Sequence, residues 1–174
     1  MSLKRTGSFL FCLALSATAS ADASVSPEEI RRAVAKDGAP AVAAHLFRRQ
    51  SVWDATISGV GSGDHQWVAV GVSLLSGADG GAASELHDAL FAALAHDPDF
   101  VLRQPPSRNF DAIEICAGRH DPLATYDEAS AEQLTARGKV AGLGADLAHQ
   151  RELCLTALDS GLTDIRRFFG VKTK

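Results

Sequence analysis

The stretch "GGAASELHDALFAALAHD", residues 80–97, carries the clearest structural pattern in the chain. Leu86, Leu90 and Leu94 recur every four residues, and alanines stand beside them. Because one turn of an α-helix takes 3.6 residues, this spacing places the leucines on one face. Pro98 follows directly and cannot continue the helix. The stretch predicts a helix whose leucine face is buried in a core.

Helix-start and helix-breaking residues divide the chain before this stretch into further helix-sized segments. Ser26 is expected as an N-cap, with Pro27 at the first helical position and Glu29 completing a capping box. After Gly38, the apolar residues keep a helical spacing. The residues expected to face inward are Ile30, Val34, Val42, Leu46, Phe47, Trp53, Ile57 and Val60.

The segment "HQWVAVGVSLL", residues 65–75, is apolar on almost every side. This composition predicts a helix packed on several faces, and its valines leave a buried strand as the alternative. Since no segment alternates strictly between apolar and polar residues, little or no sheet is expected. The sequence therefore predicts an all-α fold.

The strongest internal break is Pro105-Pro106, which we interpret as a hinge between two subregions of one domain. The domain is expected to span residues 22–174, with subregions of about 26–104 and 107–170. The helix starts expected in the second subregion are Ser107, Thr125 with Glu128 in a capping box, and Asp146.

Glycines are expected to end the later helices. One helix is expected to end at about Arg137, a second at Gly161, and "TDIRRFFG", residues 163–170, would form a final short helix. The total is eight or nine short helices. Tight turns would join several of them as antiparallel pairs, in a stack similar to HEAT repeats.

The first 21 residues have the layout of a secretory signal peptide. Lys4 and Arg5 precede an apolar run over residues 9–17, and the small residues 19–21 form a cleavage box. We expect cleavage after Ala21 and export to the periplasm or beyond. The apolar run is too short to span a bilayer, so no membrane insertion is expected after cleavage.

Charge and cysteine content narrow the class of partner. Removing Lys4 and Arg5 with the signal changes the net charge from −4 to −6, which disfavours nucleic acid and anionic membranes as partners. The mature chain would keep Cys116 and Cys154. An isolated pair in an oxidising compartment predicts a disulfide, and the alternative is two reduced core cysteines.

The stretch "SGVGSGDHQW", residues 58–67, raises the question of a phosphate-binding loop. Its glycine spacing differs from the dinucleotide fingerprint, and it lacks the lysine of a phosphate loop. We interpret it as a structural turn, in which Gly59 and Gly61 end one helix in left-handed conformations. Gly63 belongs to the same turn, and Asp64 is expected to cap the next helix.

A set of turn and core residues in this region resembles a group of short secreted proteobacterial proteins of no assigned activity. The set comprises Trp53, Ser58-Gly59, Gly63-Asp64, Trp67, Leu74-Leu75, Gly77 and Asp79-Gly80. The resemblance covers about residues 50–102. It implies helix pairs and a location in the bacterial envelope, and it brings no catalytic residues with it.

No motif in the sequence points to a particular chemistry. The six histidines form no metal-binding motif, and we predict no catalytic residue, metal or cofactor. The leading hypothesis is a non-catalytic module that binds another envelope or secreted protein, such as an inhibitor or immunity-type protein. The alternative is a periplasmic enzyme whose site combines residues distant in sequence, such as His65, Asp79 and His87. A structural envelope component is a third option, and the oligomeric state stays open.

Overall fold

The computed structural model describes residues 25–118 and 124–171. Within these ranges the chain forms nine α-helices and no β-strand, which confirms the predicted all-α class. The helices are α1 Pro27–Asp37, α2 Ala39–Phe47, α3 Gln50–Gly61, α4 His65–Leu75, α5 Gly80–Leu94, α6 Pro98–Leu102, α7 Ala112–Cys116, α8 Tyr126–Ala141 and α9 Ala148–Phe168. A 3₁₀ turn, Ala145–Leu147, precedes α9. The predicted signal peptide and its cleavage site lie outside the described residues.

Helix α5 lies at the centre of the protein. Its Leu86, Leu90 and Leu94 are completely buried, as their spacing predicts. The helix packs against α3 and α4, which precede Pro105-Pro106 in the sequence, and against α7 and α8, which follow it. One hydrophobic core therefore includes residues from before and after Pro105-Pro106.

Two pairs of consecutive helices, α4 with α5 and α8 with α9, pack antiparallel. The start of α4 reaches the far end of α5, where His65 bonds to Asp97, although only a short turn joins the end of α4 to the start of α5. Helices α8 and α9 also run in opposite directions, because Arg137 bonds to Asp159 and the later Leu143 bonds to the earlier Arg151. Segment 65–75, for which a buried strand was the alternative, forms helix α4.

Both predicted capping boxes are present. The Ser26 side chain accepts from the Glu29 N–H at the start of α1, and the Glu29 carboxylate accepts in return from the Ser26 N–H. Thr125 and Glu128 make the same reciprocal bonds at the start of α8. These local signals fix the two helix starts because each satisfies backbone donors that the helix leaves free.

The prediction that Ser107 caps a helix is wrong. Ser107 and Phe110 exchange backbone hydrogen bonds in a tight turn, with N···O distances of 2.9 and 3.3 Å. Helix α7 begins only after this turn, and Asp111 is its cap, with a side chain that accepts from the Ile113 N–H at 2.8 Å. A cap must lie two or three residues before the donor it satisfies, and Ser107 is too far away.

Three expected boundaries in the last two helices are also wrong. Helix α8 continues past Arg137 to Ala141, and Asp146 lies in the 3₁₀ turn, where it bonds to Arg103 instead of capping α9. Helix α9 runs through Gly161 to Phe168, so no separate final helix exists.

Gly161 serves close packing between helices. A Cβ atom at this position would lie 2.3 Å from Nε2 of Gln133 in α8 and 2.7 Å from the carbonyl oxygen of Ala117. Glycine is therefore needed in α9 because neighbouring atoms occupy the space of a side chain.

The predicted disulfide is present. Cys116 at the end of α7 bonds to Cys154 in α9, with 5.2 Å between the two Cα atoms, and both residues are completely buried. The bond joins two helices that also pack against one another. It closes a covalent loop around α8.

The glycine stretch forms a turn, but its glycines differ from the predicted roles. Gly59 and Gly61 belong to α3 and do not adopt left-handed conformations, so that expectation is wrong. Of the three glycines in this stretch, only Gly63 has a positive φ, +79°. Asp64 caps α4 as predicted, and its Oδ1 accepts from the N–H groups of Gln66 and Trp67 at 3.0 and 3.2 Å.

Phe47 and Trp53 pack in a way that the sequence pattern only half predicts. Trp53 is completely buried, and its Nε1 donates to the Glu85 carboxylate at 2.6 Å. Phe47, expected to face inward, is 37% exposed and lies edge-on against the Trp53 ring, with 5.4 Å between the centroids. The end of α2 therefore covers the tryptophan from outside the core.

Candidate binding groove

An open groove of about 750 Å³ lies between α1 and α2. Helix α4 packs against both helices. The residues that line the groove are Val25, Glu29, Ile30, Ala33, Asp37, Ala41, Val42, His45, Leu46 and Arg48. Most of them lie on one face of α1 or of α2, and these two faces border the groove.

The apolar residues of the groove differ in depth. Ile30, Val42 and Leu46 are buried and belong to the hydrophobic core. Ala33 is half-buried and Ala41 is exposed, and both have short side chains. An incoming group can therefore contact apolar surface close to the helix backbones.

The rim of the groove carries charges of opposite sign on its two sides. Glu29 and Asp37 belong to α1, whereas His45 and Arg48 come from α2 and its C-terminal cap. Hydrogen bonds from the Ser26 N–H and hydroxyl lower the pKa of the Glu29 carboxyl below its ordinary value. The charged residues that line the α1 side are therefore both acidic, with Arg32 lying close to Glu29, and Arg48 makes the α2 side basic.

A histidine–carboxylate pair lies at the start of α4. His65 Nε2 is 2.8 Å from Oδ2 of Asp97, and the imidazole stacks on the Phe100 ring with 3.9 Å between the centroids. Burial raises the pKa of the Asp97 carboxyl, but hydrogen bonds from His65 and the Phe100 N–H outweigh it, and the pKa is lowered. Since more than half of the His65 side chain is exposed, the pair contributes little to stability.

The three residues of the predicted alternative site do not come together. His65 lies beside Asp97, just after α5 ends, whereas Asp79 lies just before α5 begins. These positions are about 20 Å apart, because α5 rises 1.5 Å per residue. His87 lies near the middle of α5 and lines a separate cavity of about 280 Å³ with Asp88 and Glu114. The structure supports no shared site for the three.

Two candidate features of the structure, the His65–Asp97 pair and the α1–α2 groove, were missed in the sequence. The His65–Asp97 pair joins residues 32 positions apart, and the sequence-distant site predicted for His65 placed it with Asp79 and His87 instead. The groove was missed because the pattern of Ile30 and Val42 predicts burial without showing which helix flank stays uncovered. The small residues Ala33 and Ala41 beside that pattern were the available signal.

The described part of the chain offers neither a cluster of metal ligands nor a helix that could cross a membrane. Within residues 25–118 and 124–171, no group of three or more His, Cys, Asp or Glu side chains could hold a metal ion. In the same ranges, no helix combines the length and the apolar character that crossing a bilayer requires.

Comparison of the chain with protein-family models, curated proteins and solved structures finds no match. The resemblance noted for residues 50–102 therefore stays a prediction. An all-α fold by itself does not determine an activity. A function for this chain is consequently inferred from the geometry and charge of its own surfaces.

Proposed function

We propose that this protein is a secreted or periplasmic, non-catalytic module of the bacterial envelope that binds another protein. An inhibitor or immunity-type role fits this proposal. The observation that carries it is the α1–α2 groove, an open apolar surface with a charged rim. Helix-lined grooves of this kind are a recurrent way to hold a segment of another protein.

The composition of the groove favours a protein partner. Protein interfaces combine an apolar centre with a polar rim. Here Ile30, Val42 and Leu46 supply the centre, and charged side chains surround it. The buried disulfide joins α7 to α9, away from the groove, and stabilises the helical body that carries the groove.

The predicted location rests on two features. Disulfides persist in oxidising compartments such as the periplasm, and Cys116 and Cys154 form one. The first 21 residues have the composition of a signal peptide. N-terminal sequencing of the exported protein tests this part of the proposal. We expect Asp22 as the first residue, and a mature chain that still contains Leu10 would contradict it.

Affinity isolation from envelope extract tests the binding function. The bait is the mature protein with its disulfide intact, and two variants accompany it. Ala41→Arg places a long charged side chain in the groove, whereas Ala44→Arg changes an equally exposed alanine of α2 that does not line the groove. We expect a stoichiometric partner with the wild type and Ala44→Arg but not with Ala41→Arg. Equal recovery with all three proteins would refute binding through the groove.

One observation favours the alternative function, a periplasmic enzyme. The Asp97 carboxylate orients the exposed His65 imidazole, and such a pair can act as a general base. An esterase and amidase substrate panel, run with the wild type and His65→Gln, tests this reading. Turnover that His65→Gln removes would favour the enzyme over the binding module.

A further inference from the structure

We propose that the segment held in the α1–α2 groove is an amphipathic helix of the partner, with a basic flank along α1 and an acidic flank along α2. This inference rests on the proposed binding function and names the chemistry of its partner. The size, the shape and the charge of the groove each support a helix as its occupant.

The dimensions of the groove suit a short helix. Helix α1 has 11 residues and is about 16 Å long, which equals about three turns of a partner helix. Such a helix would direct apolar residues at positions i, i+4 and i+7 toward Ile30, Val42 and Leu46. The cavity volume of about 750 Å³ leaves room for several large apolar side chains.

The shape of the groove favours a helix over an extended peptide. Extended peptides commonly bind by adding a strand to an exposed sheet edge, and residues 25–118 and 124–171 contain no strand that offers one. The walls of the groove are helices instead. Ala33 and Ala41 project little from them, so the backbone of another helix can approach closely.

The charges on the rim set the orientation of the partner. Glu29 and Asp37 are eight residues apart on α1, or about 12 Å along its axis, and Arg48 lies on the other side. Among the described residues, neither Asp37 nor Arg48 forms an ion pair within the protein, whereas Arg103 and Arg137 do. Lys or Arg on one flank of the partner helix and Asp or Glu on the other would complement this rim.

Site-specific photocrosslinking identifies the segment that occupies the groove. The photoreactive amino acid p-benzoylphenylalanine replaces His45 on the rim of the groove in the exported protein, so that the space beside Ala41 stays open, and a second protein carries it at Ala44, which does not line the groove, as the matched control. We expect an adduct from position 45 but not from position 44. Mass spectrometry of the adduct should give a partner segment with apolar residues three and four apart and Lys or Arg on one flank.

Charge reversal tests the orientation. Asp37→Arg should lower the adduct yield from position 45 about fivefold, since it repels the basic flank of the partner. A cation is tolerated at Asp37 because this residue ends α1, where the helix dipole favours positive charge. The control is Asp54→Arg, which makes the same change in net charge on α3 outside the groove and should leave the yield unchanged.

The outcomes separate the inference from the proposed function. Recovery of a partner in affinity isolation, with an adduct segment that lacks the apolar spacing or the basic flank, would overturn the inference alone. An adduct with a second copy of the chain or with its own N-terminal segment would also overturn it. No partner in either experiment would refute both the function and the inference.

Discussion

Alanine substitution of the two glycines in the last turn of α3, Gly59 and Gly61, and of Gly63 in the turn before α4 should give three different results. At Gly63 the backbone has a φ of +79°, and a Cβ atom would lie 2.5 Å from the Cβ of His96. At Gly59 a Cβ would lie 2.5 Å from the Trp67 ring. At Gly61 the nearest atoms, from Ala89 and Ala92, are 3.7 Å away, which is an ordinary contact.

The magnitudes follow from these contacts. Gly63→Ala should lower the free energy of unfolding by at least about 2 kcal/mol, since a left-handed backbone costs a residue with a Cβ about 1–2 kcal/mol and the clash adds to that cost. Gly59→Ala should lower it by about 1–3 kcal/mol because the Trp67 ring must move. Gly61→Ala should leave it unchanged or raise it by up to about 1 kcal/mol, since alanine favours the helix.

Urea unfolding of the oxidised mature protein, followed by circular dichroism at 222 nm, measures these changes. The slope of the free energy against urea should stay constant, so that midpoints can be compared directly. The expected order of stability is Gly61→Ala, then wild type, then Gly59→Ala and Gly63→Ala. A loss at Gly61 as large as the loss at Gly63 would refute the assigned backbone conformations.

Three further predictions concern the cap, the disulfide and acid stability. Asp64→Ala should lower the free energy of unfolding by about 1 kcal/mol in the same urea assay, because the cap of α4 is lost. Thiol titration of the denatured, unreduced mature protein should find no free cysteine. Reduction of Cys116–Cys154 should lower the free energy of unfolding by about 4 kcal/mol, which a lower melting temperature would show. The lowered pKa of Asp97 stabilises the folded protein above the carboxyl's unfolded pKa, and this contribution is lost as the pH falls through the folded pKa. Stability should therefore drop below about pH 4, and less steeply in Asp97→Asn; identical pH profiles would contradict the lowered pKa of Asp97, which hydrogen bonds from both His65 and the Phe100 N–H cause.

Features encoded within a few neighbouring residues could be predicted from the sequence. The capping boxes at Ser26 and Thr125 fix helix starts, because side chain and backbone donors lie within one turn. The leucine spacing of α5 likewise predicts its buried face. The disulfide was also predictable, because only Cys116 and Cys154 would remain once the predicted signal peptide is removed.

Glycine roles could not be predicted because they depend on tertiary contacts. A glycine can end a helix through a positive φ or can sit inside one where a neighbour comes too close for a side chain. Gly63 is the first kind, and Gly161 is the second, with Gln133 in the space of its missing Cβ. The residues around a glycine in the sequence do not distinguish the two kinds. For this reason the helix end predicted at Gly161 was wrong.

Long-range polar pairs and the groove escaped prediction for a related reason. His65 meets Asp97 because α4 and α5 are antiparallel, and Arg103 meets Asp146, 43 residues later in the sequence, at the protein surface. Whether the flank near Ala41 is covered depends on how α1 and α2 pack on α4. These arrangements are properties of helix packing, and a single sequence does not specify them.

The most direct test of the binding function is the dissociation constant between the purified mature protein and the partner recovered by affinity isolation. Isothermal titration calorimetry measures it for the wild type, Ala41→Arg and Ala44→Arg. Because arginine at position 41 fills the groove, Ala41→Arg should weaken binding by more than about tenfold, while Ala44→Arg should stay within about twofold of the wild type. Equal affinity of Ala41→Arg and the wild type would contradict binding through the α1–α2 groove.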